Sequence, residues 1–225
     1  MELKFIHITK CAGSSIEESG KRVNIAWGKY HKEYRLLGPA KQIDPWHKCF
    51  SLLDSSIVNK YNWFTVVRNP YHRILSEYYC NYTGVKKTIH TKEEMNSYLI
   101  RQIQNRSIEG GHFTEQYKYL HPNKKIHILK FENLNEEFSK LMRSYNIVGI
   151  QLLKINVRST KSYINVFRVS DFSNELIELI NKVYSNDFRC FGYKKNTVGK
   201  DTNIEKVNNE PIRSDFSFKF KKILI

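Results

Sequence analysis

Several features are scarce in this 225-residue chain. No stretch stays apolar for the roughly 20 residues that a bilayer-spanning helix needs. The opening residues run straight into a strand pattern rather than into a secretory leader. The expectation is a cytoplasmic protein without a membrane span. Only four cysteines occur, Cys11, Cys49, Cys80 and Cys190, and no two form a C-x-x-C pair. That excludes a zinc signature and points to free thiols in a reducing compartment. Acidic residues are short as well: 22 Asp and Glu face 37 Lys and Arg, for a net charge of +15. Such an excess implies an anionic partner, and charge alone leaves nucleic acid, an acidic glycan, a membrane surface and a phosphorylated cofactor open. No RNP signature, zinc spacing or recognition helix is present, which argues against nucleic acid. The 40% hydrophobic content suffices for one sizeable domain with a buried core.

The chain opens on Leu3-Lys-Phe-Ile-His-Ile8, an apolar, β-favouring run. It breaks into Thr9-Lys-Cys-Ala-Gly-Ser-Ser15 and re-enters a helical pattern, with Ser14 or Ser15 as the expected cap. A strand, a small-residue turn and a helix start make an anion site, because backbone N–H groups converge there and a lysine adds full charge. A second unit follows. Asn62-Trp-Phe-Thr-Val-Val67 is a buried-strand pattern, Arg68 ends it, Asn69 can cap and Pro70 can start a helix that carries Leu75, Tyr78, Tyr79 and Tyr82. A third strand is expected over 125–131, leading into a helix with Leu134, Phe138, Leu141, Met142 and Tyr145 on one face. A helix is expected over 92–104, and another after Ser173 with Leu176, Ile177, Ile180, Val183, Tyr184 and Phe188 buried. The basic 149–169 stretch reads as loop. Residues 194–225 read as an extension, with 194–212 expected to be mobile and 216–220 alternating like an edge strand.

Repeated strand–helix alternation implies an α/β fold: one P-loop-like domain over 1–193 with a mostly parallel central sheet flanked by helices. Ligands in such folds bind at the carboxyl ends of the strands, where Lys10 and Arg68 both fall. A nucleoside-triphosphate loop fits badly. It needs G-x-x-x-x-G-K-[ST], whereas Lys10 precedes Gly13, and no later Asp ends a strand to hold magnesium. The G-x-G-x-x-G dinucleotide pattern is absent too.

The opening His7-Ile-Thr-Lys-Cys-Ala-Gly-Ser-Ser-Ile16 resembles the 5′-phosphosulfate loop of the sulfotransferases, usually P-K-x-G-G-T-S. Phe64-Thr-Val-Val-Arg-Asn-Pro-Tyr-His-Arg-Ile-Leu-Ser76 resembles their 3′-phosphate motif, R-[ND]-P-x-x-R-x-x-S. Ile128-Leu-Lys-Phe-Glu-Asn-Leu134 and Val183-Tyr-Ser-Asn-Asp-Phe-Arg-Cys-Phe-Gly-Tyr193 look like the carbohydrate branch that includes uronyl sulfotransferases. The resemblance implies transfer of a sulfuryl group from 3′-phosphoadenosine 5′-phosphosulfate (PAPS) to a hydroxyl of a glycan or other small acceptor. Adenosine 3′,5′-bisphosphate (PAP) is then the product, and no metal is needed. It also implies roles. Lys10 stabilises the leaving bisphosphate, and the N–H groups from Cys11 through Ala12 and Gly13, with the Ser14 and Ser15 hydroxyls, hold the 5′ phosphate. Arg68 and Ser76 hold the 3′ phosphate, and Arg158 and Lys161 lie where the family closes a basic loop over the nucleotide. His47, in Asp44-Pro-Trp-His-Lys48, stands where the branch carries its catalytic base; His31, His112 and Glu17 compete with it. Trp27 and Trp46 are candidates for stacking on a sugar. The chain departs from the family at Thr9, where proline is usual, and at Cys11-Ala12, where alanine takes positive φ less easily than glycine. A basic nucleic-acid-binding module and a nucleotide kinase with a degenerate loop are the rival readings.

Overall fold

The computed structural model describes residues 1–29, 45–53, 55–80, 91–155 and 167–197. Its three strands are β1 (Leu3–Ile6), β2 (Asn62–Val67) and β3 (Ile126–Lys130), in the spatial order β1-β2-β3 and all parallel. Phe5 pairs with Phe64 and Phe64 with His127, so one register runs across the sheet. Parallel strands need crossovers, and seven helices are described around them. These are α1 (Gly13–Arg22), α2 (Ser55–Lys60), α3 (Pro70–Tyr78), α4 (Lys92–Gln104), α5 (Leu134–Ser144), α6 (Asn174–Val183) and α7 (Ser185–Phe191). The fold is α/β, as the alternation of patterns implies. No helix among the described residues is long and apolar enough to cross a membrane.

Local chemistry sets most boundaries. Asn69 accepts a hydrogen bond from Tyr71 N at 3.0 Å and Pro70 opens α3, as the R-N-P sequence predicts. Thr91 and Glu94 form a reciprocal capping box that starts α4, and the Ser173 hydroxyl accepts from Leu176 N to start α6. β2 is the central strand and is buried from Trp63 to Val67, because helices and neighbouring strands cover it.

Three expectations need correction. Helix α1 begins at Gly13, and its cap position is Ala12 in a left-handed conformation with no side-chain cap, so neither Ser14 nor Ser15 caps it. The final helical pattern is two helices: the chain turns at Tyr184, whose hydroxyl donates to Phe113 O at 2.6 Å. The apolar spacing of Leu176, Ile180, Tyr184 and Phe188 continues across that turn, so periodicity hides it. Trp27 is core rather than surface. It is 0% exposed and packs edge-on against Phe64 and Phe138, with ring centroids 5.3 and 5.9 Å apart. The expected loop over 156–166, Tyr82, the edge strand over 216–220 and the extension beyond residue 197 lie outside the described residues.

Candidate functional site

The segment between β1 and α1 alternates backbone hand. Lys10 and Ala12 are left-handed, at φ 59° and 61°, while Cys11 between them is not. Such alternation turns successive N–H groups toward one side and makes a concave anion nest. The first N–H groups of α1 have no intrahelical acceptors and add to it. Gly13 is required on steric grounds, since a Cβ there would lie 1.8 Å from His7 Nε2. Lys10 is half-buried, and among the described residues its ammonium has no ion-pair partner. Thr9 turns inward. Its hydroxyl donates to Glu77 Oε1 at 2.8 Å and accepts from Arg73 Nη2 at 3.0 Å, while Arg73 Nε donates to Thr9 O at 3.1 Å. A proline here would supply none of the hydroxyl bonds, which accounts for the departure at Thr9.

The second cation stands one residue past β2. Arg68 lays its guanidinium over the Phe131 ring at 4.1 Å, and Nη1 donates to Lys10 O at 3.4 Å. Burial pulls its pKa down, an effect that an anion would reverse. Glu132 accepts from Asn69 N at 2.9 Å and from Tyr193 OH at 2.8 Å, which fixes the turn between β2 and α3. Ser76 lies eight residues past Arg68, within α3, and is half-buried. The two cationic residues therefore follow adjacent parallel strands, and the Arg68 guanidinium reaches the backbone carbonyl of Lys10.

Histidines gather beside the loop. His47 Nδ1 lies 3.1 Å from His7 O. A carbonyl only accepts, so Nδ1 is the donor in this contact and Nε2 is the ring nitrogen from which a neutral imidazole of this tautomer acts as a base. The His47 ring is edge-on to His7 at 4.4 Å and 6.4 Å from His112. A short antiparallel pairing holds it there. Lys48 bridges Gly110, Gly111 N donates to His47 O at 3.0 Å, and a Cβ on Gly110 would come within 2.2 Å of that oxygen. His112 Nδ1 pairs with Glu77 Oε2 at 2.6 Å. Burial would raise the Glu77 carboxyl, but the His112 bond and the charges of His112, Arg73 and Lys10 outweigh it and hold the pKa low. Glu17 is 1% exposed and receives N–H bonds from Gly28 and Lys29, so it is walled in rather than presented. Metal-ligating atoms come together at one point among the described residues, where those of Glu77, Cys80 and His112 lie within 4.8 Å of one another. Glu77 already holds the Thr9 hydroxyl and His112 there.

Residues 2–194 match the model of the sulfotransferase family. The chain belongs to that family. Comparison with the curated proteins and with the solved structures gives no match. The protein is thus an enzyme of sulfuryl transfer, and its family implies a sulfonate donor.

In this sulfotransferase the structure brings Lys10, Arg68 and His47 to one end of the sheet. Other loop residues face inward. Cys11 is fully buried and donates from Sγ to Gln116 Oε1 at 3.3 Å; burial pushes its thiol up to about 12. Ser15 is buried as well, and its hydroxyl accepts from Ile155 N at 3.2 Å, leaving Ser14 as the exposed hydroxyl of the loop. Cys11 and Ser15 can offer the loop their backbone N–H groups, whereas Ser14 offers a hydroxyl too. Trp27 is removed from any acceptor contact by its burial. Trp46 remains, half-buried with the Lys29 ammonium 5.6 Å from its ring. His31, Arg158 and Lys161 lie outside the described residues. Sequence reasoning gave no role to His7, Arg73, Glu77, Gln116 and Asp187. Arg73 had a signal, since it is the second arginine of the quoted 3′-phosphate motif. Phe131, Glu132 and Tyr193 likewise sit in quoted stretches, and they converge around Arg68.

Proposed function

We propose that the sulfotransferase takes its sulfuryl group from PAPS and passes it, in line and without a metal, to a hydroxyl of a carbohydrate or other small acceptor. The observation that carries this reading is the pairing of a left-handed N–H nest bearing Lys10 with Arg68 on the adjoining strand. A donor charged at both ends matches two anion sites set side by side. The 5′ end belongs with the N–H groups of Cys11, Ala12, Gly13, Ser14 and Ser15 and with the Ser14 hydroxyl. The 3′ phosphate belongs with Arg68 and Ser76, through a charge-assisted fork and a hydroxyl. Arg158 and Lys161 join it by their position in the family. The metal-free reading rests on the transferred group, which carries less charge than a phosphoryl group.

His47 Nε2 takes the proton of the acceptor hydroxyl as its oxygen bonds to sulfur. The bond from sulfur to the bridging oxygen breaks, and PAP leaves with the electron pair. Lys10 faces the negative charge that grows on that oxygen. Trp46 and Lys29 give a ring and a cation next to His47, which suits an anionic or sulfatable sugar. The four cysteines are free and buried, which fits a reducing, cytoplasmic location.

Thermal unfolding with and without ligands tests the donor. PAP should stabilise the protein, and ATP with magnesium should not; the reverse result would favour the kinase reading. Labelled PAPS with a glycan panel should yield labelled product. Lys10→Ala should abolish that product, and His47→Ala should lower turnover by about 10²–10⁴ while PAP still binds. No shift with PAP sinks the proposal.

A further inference from the structure

Gln116 opens a one-turn 3-10 segment (Gln116–Tyr119) far from both motifs in sequence, yet its side chain touches both. Its carboxamide lies along the Arg68 backbone: Oε1 accepts from Arg68 N at 2.9 Å and Nε2 donates to Arg68 O at 2.9 Å. This two-point pairing is what a neighbouring strand's peptide group would offer, applied one residue beyond the end of β2. The same Oε1 accepts from Cys11 Sγ at 3.3 Å, in the middle of the anion nest. One amide thus spans the residue that carries one cation and the loop that carries the other.

The amide is itself held. Asp187, in the first turn of α7, accepts from Gln116 N at 2.9 Å and from Gln116 Nε2 at 3.3 Å through Oδ2, and from Tyr117 N at 2.8 Å through Oδ1. Those bonds settle which end of the carboxamide is NH2, since a carboxylate only accepts. Both side chains are 0% exposed. Burying an acid and an amide is costly unless each polar atom is matched, and matched groups specify one geometry more sharply than apolar packing does.

We infer that Gln116, oriented by Asp187, is a positioning residue that fixes the spacing between the loop at Cys11 and the Arg68 clamp, so that a two-ended anion meets both at once. This rests on the donor reading above. Preformed spacing strengthens a ligand that bridges two sites and leaves a one-site ligand nearly untouched.

The test compares PAP with adenosine 5′-monophosphate and adenosine 3′-monophosphate by calorimetry. Gln116→Met keeps the length and apolar volume of the side chain and removes its hydrogen bonds. It should weaken PAP binding about tenfold or more and change either monophosphate by less than about threefold. Equal losses on all three ligands, or none, overturn the inference. A wild-type protein that binds none of the three overturns the donor reading, and this inference with it. Asp187→Asn, of nearly equal volume, serves if Gln116→Met does not fold. It should shift the same ratio in the same direction and speed hydrogen exchange at the Arg68 amide. An unchanged ratio together with unchanged exchange rejects the positioning role.

Discussion

Ala12 holds a conformation that L-residues avoid, at φ 61° and ψ 17°, because the loop needs that hand to aim its N–H groups. Left-handed geometry costs a non-glycine residue about 1–2 kcal/mol, part of which glycine returns as unfolded-state entropy. Ala12→Gly should therefore stabilise the protein by about 0.5–1 kcal/mol, seen as a rise of a few degrees in Tm, with PAP binding retained. A fall in Tm would mean that the strain is relieved elsewhere. His7 and Glu17 make a second residue-scale case. Their Nδ1 and Oε1 atoms are 3.6 Å apart, and His7 Nδ1 is buried without a hydrogen bond. Burial, then the charges of Lys29 and His112, pull His7 down to about 3, so it is neutral. Burial pushes Glu17 up to about 7, against its N–H bonds from Lys29 and Gly28. The folded state thus holds the Glu17 proton more tightly than the unfolded chain, whose value is 4.5. That contribution is full below pH 4.5 and is lost as pH rises through about 7. Glu17→Gln should remove the loss, so urea unfolding should show the variant gaining on the wild type by about 2–3 kcal/mol between acid and mildly alkaline pH. Parallel pH curves would refute the assignment.

At the scale of elements, the loop, α3 and the 111–114 segment are tied together by Thr9, Arg73, Glu77 and His112. Thr9→Val keeps the shape and deletes the hydroxyl, removing one hydrogen bond each from Glu77 Oε1 and Arg73 Nη2, which stand 3.9 Å apart. The expected cost is about 1–3 kcal/mol, read as a lower urea midpoint at unchanged m-value. A neutral result would show that Arg73 and Glu77 close on each other without it. This network also marks where the sequence stops being legible. Strand–turn–helix units show in apolar β-branched runs and in Pro70 after Asn69, because those signals are local. Thr9 and Glu77 are 68 residues apart, and Cys11 and Gln116 are 105 apart, so no spacing rule joins them. The Ser14 or Ser15 cap fails because α1 starts from a left-handed Ala12, a hand that no local rule assigns to alanine. Trp27 misled for the reverse reason. An aromatic in an irregular stretch suggests a ligand contact, and only tertiary packing against Phe64 and Phe138 shows it to be core.

Over the whole molecule, the net charge of +15 and the two clamps act at different ranges. Charges spread over the surface steer an anion from a distance, and salt screens them because the Debye length falls from about 10 Å at 0.1 M to about 3 Å at 1 M. On the donor reading proposed above, Lys10 and Arg68 meet PAP at contact inside a partly buried site, where screening is weaker. Raising salt from about 0.05 M to about 0.5 M should therefore slow PAP association several-fold and change its dissociation by less than about twofold. Stopped-flow binding separates the two rates. A nucleic-acid binder of the same charge behaves otherwise, because it gains affinity by releasing counterions along a phosphate backbone, and its equilibrium constant falls by about 10³–10⁵ between only about 0.05 M and 0.2 M salt. A steep equilibrium loss for an oligonucleotide, alongside weak and salt-insensitive PAP binding, would assign the charge to nucleic acid. The contact between Arg68 Nη1 and the Lys10 carbonyl predicts the opposite balance, since it ties the Arg68 guanidinium to the backbone of one short nest that suits a compact, doubly charged ligand.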